Sequence, residues 1–206
     1  QPTKPFFKEP SLDKLDINPV SGWEDKIILF DHINIDLNNQ LPHWLTNPIT
    51  KADFSTKLDS WWKIPDFGED VGDIKIIWEQ SRMNWLVPFA QKARNGDYKS
   101  LEKMNDWLDD WLKVNPPYLG MNWKCGQEAS IRVLNLILAQ EILSLNTVTN
   151  NLIDYLEIHI DRITPTTFYA KAQKNNHGIC EGCALLLAGY FLWKNKKGKK
   201  YFSVYQ

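Results

Sequence analysis

The chain is short of the features that most often announce a chemistry. It has three cysteines, Cys125, Cys180 and Cys183, and an odd count argues against a disulfide framework. Cys180 and Cys183 fit a CxxC pattern. A zinc site would need a second ligand pair, and a redox motif would want a preceding strand. Neither is evident, so both thiols are expected as small core residues on a helix, and no metal or cofactor is expected. Charge of one sign is also missing: 24 Lys and Arg stand against 25 Asp and Glu. That balance supplies no field to gather a polyanion and no basic stripe for nucleic acid, so no nucleic-acid partner is expected. The one basic cluster, Lys194, Lys196, Lys197, Lys199 and Lys200, reads as a solvated loop or helix end. No run of 18 apolar residues occurs, so no membrane span is expected. There is no Ser/His/Asp order, no phosphate-cradling glycine loop and no paired-carboxylate motif. The first residue is Gln1 rather than Met, without a signal-like segment, and the expectation is a processed or truncated product.

What is present suits a single globular core: 206 residues, 43% of them apolar. Ten tryptophans belong mostly to that core, but flat indoles also stack on sugar rings and so favour a saccharide partner. Residues 1–75 are irregular and proline-rich, yet carry Phe6, Phe7, Trp23, Trp44, Phe54, Trp61, Trp62 and Phe67. That is too many aromatics for disorder, so the segment reads as a long arm packed on something.

Helical periodicity follows. Trp78, Arg82, Trp85, Phe89 and Ala93 predict one long helix, closed at Asn95-Gly96. Leu101, Met104, Leu108 and Trp111 predict the next, ended by Asn115-Pro116-Pro117. Helices are also expected over 127–145, 149–163 and from Gly178 to about Lys194, with Thr164-Pro165-Thr166 as a break. Two of these (127–145 and 178–193) are apolar on most faces and two are two-sided, which suggests antiparallel hairpins in an inner and an outer layer. The fold class expected is therefore all-α, with residues 76–206 as the helical unit.

Two constellations stand out. Glu128, Arg132 and Asn135 project from one face of a largely apolar helix. They either pair with protein or line a polar cleft in which Arg132 meets a carboxylate or sulfate. Just upstream, Asn122 reads as a cap or turn residue, and Trp123 equally as core or as a sugar platform. Arg82 shares a face with Trp78 and Trp85, so its stem is packed. The second constellation is Asn175-Asn176-His177, at the mouth of the last apolar helix. These residues are either caps or chemistry, since helix N-termini also favour anions.

Four blocks, GDIKIIWEQSRMNWL (72–86), NPPYLGMNWKCGQEASIRVLNLILA (115–139), RITPTTFYAKAQKNNHG (162–178) and CALLLAGYFL (183–192), resemble in order and spacing the N-terminal helical domain of heparinase II/III-type polysaccharide lyases. The resemblance spans about residues 20–195. It implies a partial (α/α) toroid of antiparallel helical hairpins, with a β-sandwich domain after it. It also implies β-elimination at a uronate: the carboxylate charge is quenched, the C5 proton is removed and the 4-linked oxygen leaves. By the resemblance, Asn176 neutralises the carboxylate and His177 assists or acts as base, while Asn122, Trp123, Glu128 and Arg132 are cleft-side, either substrate-binding or structural. Arg82 is a further substrate-binding candidate. The family's catalytic Tyr falls beyond Gln206, and Tyr201 and Tyr205 come too early for it. The resemblance thus implies an acidic polysaccharide or oligosaccharide as partner, a periplasmic or cell-envelope setting, and no turnover by this chain alone. The other expectation is a non-catalytic saccharide-binding or assembly module for bacterial surface polysaccharide.

Overall fold

The computed structural model describes residues 5–10, 25–38, 40–65, 67–68, 72–144 and 147–195. Expectations that fall on 1–4, 11–24, Leu145 or 196–206, including the lysines after Lys194 and both late tyrosines, lie outside the described residues.

The fold is predominantly helical. Among the described residues, a short hairpin, β1 (Lys26–Leu29) with β2 (Ile33–Asp36), and a two-residue pair, β3 (Phe67–Gly68) with β4 (Gly72–Asp73), are followed by seven α-helices. They are α1 (Lys75–Gln80), α2 (Leu86–Arg94), α3 (Tyr98–Val114), α4 (Gly126–Leu143), α5 (Asn150–Ile163), α6 (Thr167–Ala172) and α7 (Asn176–Lys194). No helix among the described residues is long and apolar enough to cross a membrane.

The two-sided helices form as their sequences dictate. Asp97 caps α3 by accepting from the Lys99 and Ser100 amides, and α3 buries Leu101, Met104, Trp107, Leu108 and Trp111. Thr149 caps α5 through the Leu152 amide, and α5 buries Leu152, Tyr155, Leu156, His159, Ile160 and Ile163. Helix α4 packs on α2, α5 and α7, and α2 packs on α3, which makes α4 the centre of the core.

The structure departs from the periodicity in three places. The helix expected to run through Trp78–Ala93 is two helices, α1 and α2, with Met83 between them at φ 63°. A continuous helix would drive the Pro88 ring into the Asn84 carbonyl and forfeit a hydrogen bond. Beginning α2 at Leu86 puts Pro88 in the first turn, where no amide is needed. Beyond the Thr164-Pro165-Thr166 break, which is a 3-10 turn, the short helix α6 appears before α7. Finally, α7 is not buried all round: Ile179, Leu186, Leu187, Tyr190 and Trp193 are exposed.

The residues before α1 are fastened to the helices by polar as well as apolar contacts. The Phe6 and Phe7 amides both donate to Asn105 Oδ1 on α3, and Thr149 Oγ1 donates to the Phe6 carbonyl. Trp44 is buried in a cluster with Trp85 and Trp107, in which Trp107 stands edge-on to both, and its Nε1 donates to Asp110 at 2.8 Å. The Gln80 amide reaches back to the His43 and Thr46 carbonyls.

Candidate functional site

A cleft of about 550 Å3 opens where α1, α4, α5, α6 and α7 converge. Trp61 and Trp62 of the 3-10 turn Trp61–Lys63 line it with Arg162 of α5, Tyr169 of α6, Gln173 just after α6, and His177 and Glu181 of α7. Asp73, Lys75, Trp78, Lys124 and Gly126 also line it. Trp62 stands at the rim, 63% exposed, with its ring edge-on to Trp61 at 5.7 Å. Trp61, Trp62 and Arg162 also wall a second hollow of about 500 Å3, which includes Tyr118 and Asp161. The indoles therefore form a ridge between two adjoining depressions.

Arg162 anchors that ridge. Its Nε donates to the Trp123 carbonyl at 2.6 Å, its Nη2 to the Lys124 carbonyl and its Nη1 to Thr166 Oγ1. The Trp61 ring centroid lies 3.5 Å from its guanidinium carbon. Burial pulls its pKa down to about 10, so it stays protonated at neutral pH, and no carboxylate pairs with it among the described residues.

Glu181 lies on α7 one turn after His177, with its Oε1 3.7 Å from His177 Nδ1. Its side chain is almost wholly buried, and Oε2 has no hydrogen-bond partner. Gly126, the first residue of α4, makes room for it: a β-carbon there would stand 2.7 Å from Oε1. Burial pushes the Glu181 carboxyl up to about 7, against the opposing pull of Arg162. The cleft thus holds an aromatic rim, the cations Lys75, Lys124 and Arg162, an imidazole, and a carboxyl that changes charge near neutrality.

The cap-or-chemistry question at Asn175-Asn176-His177 divides between neighbours. Asn175 is the cap: its Oδ1 accepts from the His177 amide at 3.0 Å. Asn176 is exposed at the first position of α7, with no side-chain partner among the described residues. His177 lines the cleft.

The residues expected on the substrate side are elsewhere. Asn122, Trp123 and Arg132 are fully buried. The Asn122 amide donates to the Trp44 carbonyl and to Asn115 Oδ1, and Trp123 Nε1 donates to the Asn115 carbonyl. The Arg132 guanidinium carbon lies 5.0 and 5.4 Å from the Trp111 and Trp123 ring centroids, and its Nη2 donates to the Asn122 carbonyl. Its Nε donates to His159 Nε2 at 2.9 Å, while His159 Nδ1 donates to the Tyr155 carbonyl. Those two bonds fix the neutral imidazole, and burial with Arg132 beside it holds the His159 pKa well below the usual range.

Glu128 does not pair with Arg132 either. Arg82 clasps it with two 2.8 Å bonds, from Nε and Nη2, and also donates to Glu79. Arg82 keeps some exposure, but both carboxylates already occupy its guanidinium.

Of the site residues inferred from sequence, only His177 lines the cleft, with Asn176 beside it. The sequence reading passed over Trp61 and Trp62 as a site, Arg162 and Glu181. The available signal for Glu181 was its spacing of four from His177 inside an otherwise apolar run. Arg162 carried none, since its role depends on carbonyls at 123 and 124. Among the described residues no group of three His, Cys, Asp or Glu side chains could hold a metal ion. Compared with protein-family models, with curated proteins and with solved structures, the chain matches none.

Proposed function

We propose that the chain is the N-terminal helical part of a polysaccharide lyase acting on a uronate-containing glycan by β-elimination, and that it holds the acidic sugar in the cleft at the start of α7. The observation that carries this reading is an exposed indole, Trp62, and an imidazole, His177, lining one cleft, with an exposed amide without a protein partner among the described residues, Asn176, next to His177 at the start of α7. A uronate C5 proton becomes removable only as the neighbouring carboxylate charge is quenched, and a neutral amide donor suits that task. The Asn176 amide neutralises the carboxylate, His177 assists, and the indole ridge stacks the adjoining sugars. The toroid belongs to the same reading. Helices α2, α4 and α7 form its inner row and α3 and α5 its outer one, and the apolar face of α7 is where a further helix of a toroid packs.

A second reading, a saccharide-binding or assembly module for surface polysaccharide, draws on the aromatic ridge alone, which binds sugar without any chemistry. Calorimetric titration of the full chain with an unsulfated tetrauronate and with its carboxyl-reduced, neutral counterpart separates the two. In the lyase reading Trp62→Ala weakens both sugars about tenfold, the loss of roughly 1–1.5 kcal/mol of stacking. Asn176→Ala then weakens only the acidic one. Equal loss for both sugars on Asn176→Ala favours the module, and no binding of either rejects both.

A further inference from the structure

Glu181 is the one buried acid of the described structure left without a neutralising partner. Glu79 and Glu128 share Arg82. Glu181 has only an imidazole at 3.7 Å, an orphan Oε2, and a berth that exists because residue 126 is glycine. Arg162, the nearest guanidinium to influence it, spends its donors on the Trp123 and Lys124 carbonyls and on Thr166. An acidic side chain built so tightly into a ligand-sized cleft, yet unsatisfied there, is aimed at something that arrives from outside.

We propose that Glu181 couples capture of an acidic sugar to uptake of a proton: the ligand carboxylate is held with the Glu181 carboxyl protonated. This inference rests on the acidic-glycan reading above and adds a regulation of that site. Two ionised carboxylates sharing one buried pocket repel, and the pair settles by keeping one proton. The protonated carboxyl then donates a hydrogen bond where the ionised one would repel. Protonation of Glu181 also removes one negative charge from the cleft, which Lys75, Lys124, Arg162 and Asp73 line.

The groups around Glu181 leave few rivals for that proton. From α4 come Cys125 and Glu128; the Cys125 thiol is raised by burial, and Glu128 is held by Arg82. From α5 comes Arg162, from α6 Tyr169 and Lys171, and from the segment before α4 Lys124. On α7 itself, Cys180 is pushed up to about 11 by burial and stays a thiol, while Cys183 is exposed. His177, with Nδ1 3.7 Å from Glu181 Oε1, is the nearest other group on α7.

The test is calorimetric titration of the full chain with the tetrauronate in buffers of different ionisation enthalpy, at pH 6, 7 and 8. The carboxyl-reduced sugar is the control. With the Glu181 carboxyl half-titrated at about 7, binding takes up about 0.5 proton at pH 7 and about 0.9 at pH 8, and affinity falls about tenfold from pH 6 to pH 8. The neutral sugar shows neither effect. Glu181→Gln abolishes the uptake and flattens the pH profile, whereas His177→Gln keeps the slope. Uptake that survives Glu181→Gln and disappears in His177→Gln assigns the proton to the imidazole and overturns the proposal. Acidic-sugar binding without proton uptake overturns it alone. Failure of both sugars to bind at every pH overturns the glycan reading and this inference together.

Discussion

Replacing Glu181 with glutamine should stabilise the protein, and only on the alkaline side. Its carboxyl has an ordinary value of 4.5 and is pushed up to about 7 in the fold by burial. The linkage sign follows from which state gives up its proton first. Below pH 4.5 the group is neutral folded and unfolded, and costs nothing. Between 4.5 and 7 the unfolded chain ionises while the folded one does not, so stability falls as pH rises. Above about 7 both are ionised and the full penalty is present. At about 1.4 kcal/mol per unit of pKa, the penalty is about 3 kcal/mol. Glutamine keeps the shape and carries no charge. At pH 8, Glu181→Gln should gain about 2–3 kcal/mol over the parent, or roughly 5–10 °C in Tm for a chain of this size. At pH 4.5 the gain should shrink below about 0.5 kcal/mol. Urea unfolding of both proteins at the two pH values, followed by circular dichroism, measures it. An equal effect at both pH values, or a loss at pH 8, would refute a buried carboxyl without a partner.

Two further outcomes follow from the polar contacts. Asn175→Ala removes the cap of α7 and should cost about 1 kcal/mol, while Asn176→Ala, exposed and without a partner, should stay within about 0.5 kcal/mol; thermal unfolding of the pair checks the order, and the reverse order would make Asn176 the cap. Arg82→Ala strands Glu79 and Glu128, whose side chains are 5% and 4% exposed, and should cost about 3 kcal/mol in urea unfolding. Arg82→Met together with Glu79→Gln and Glu128→Gln should recover most of that loss.

The parts of the fold legible in the sequence are those decided locally. Helices α3 and α5 announce themselves because an apolar stripe, a side-chain cap and a terminating proline or threonine cluster all lie within one stretch of chain. The break before α2 was also written locally, in Pro88, but the apolar rhythm on either side of it concealed the signal. The exposed face of α7 was not legible: Leu186 or Tyr190 reads as core in any apolar run, and only the placement of the other helices leaves it open.

The site was less legible for a related reason. Trp61, Lys124, Arg162 and Glu181 come from four distant stretches, and no spacing rule connects them. The polar stripe on α4 was rightly seen as needing partners, but sequence pairs neighbours on a helix face. Tertiary structure sends Glu128 to Arg82 and Arg132 to His159 instead.

The buried polar groups separate into two kinds, and the difference bears on function. Arg132 and Arg162 hold three successive carbonyls, those of Asn122, Trp123 and Lys124, just ahead of α4. They fix the backbone that delivers Gly126 to its place beneath Glu181. Both guanidiniums meet carbonyls and the faces of Trp61, Trp111 and Trp123, although Arg132 Nη1 has no hydrogen-bond partner. These arginines therefore brace the segment that lines the cleft at Lys124 and Gly126. Glu181, beside it, has no hydrogen bond to its Oε2 and only the pull of Arg162 against burial, at a cost of about 3 kcal/mol once ionised. An amide or an apolar side chain would remove that cost without disturbing the neighbouring helices. A destabilising group retained on a rigid support is what a binding or proton-transferring role requires, and in the reading proposed above Glu181 matters to the cleft as much as the Asn176-His177 pair beside it.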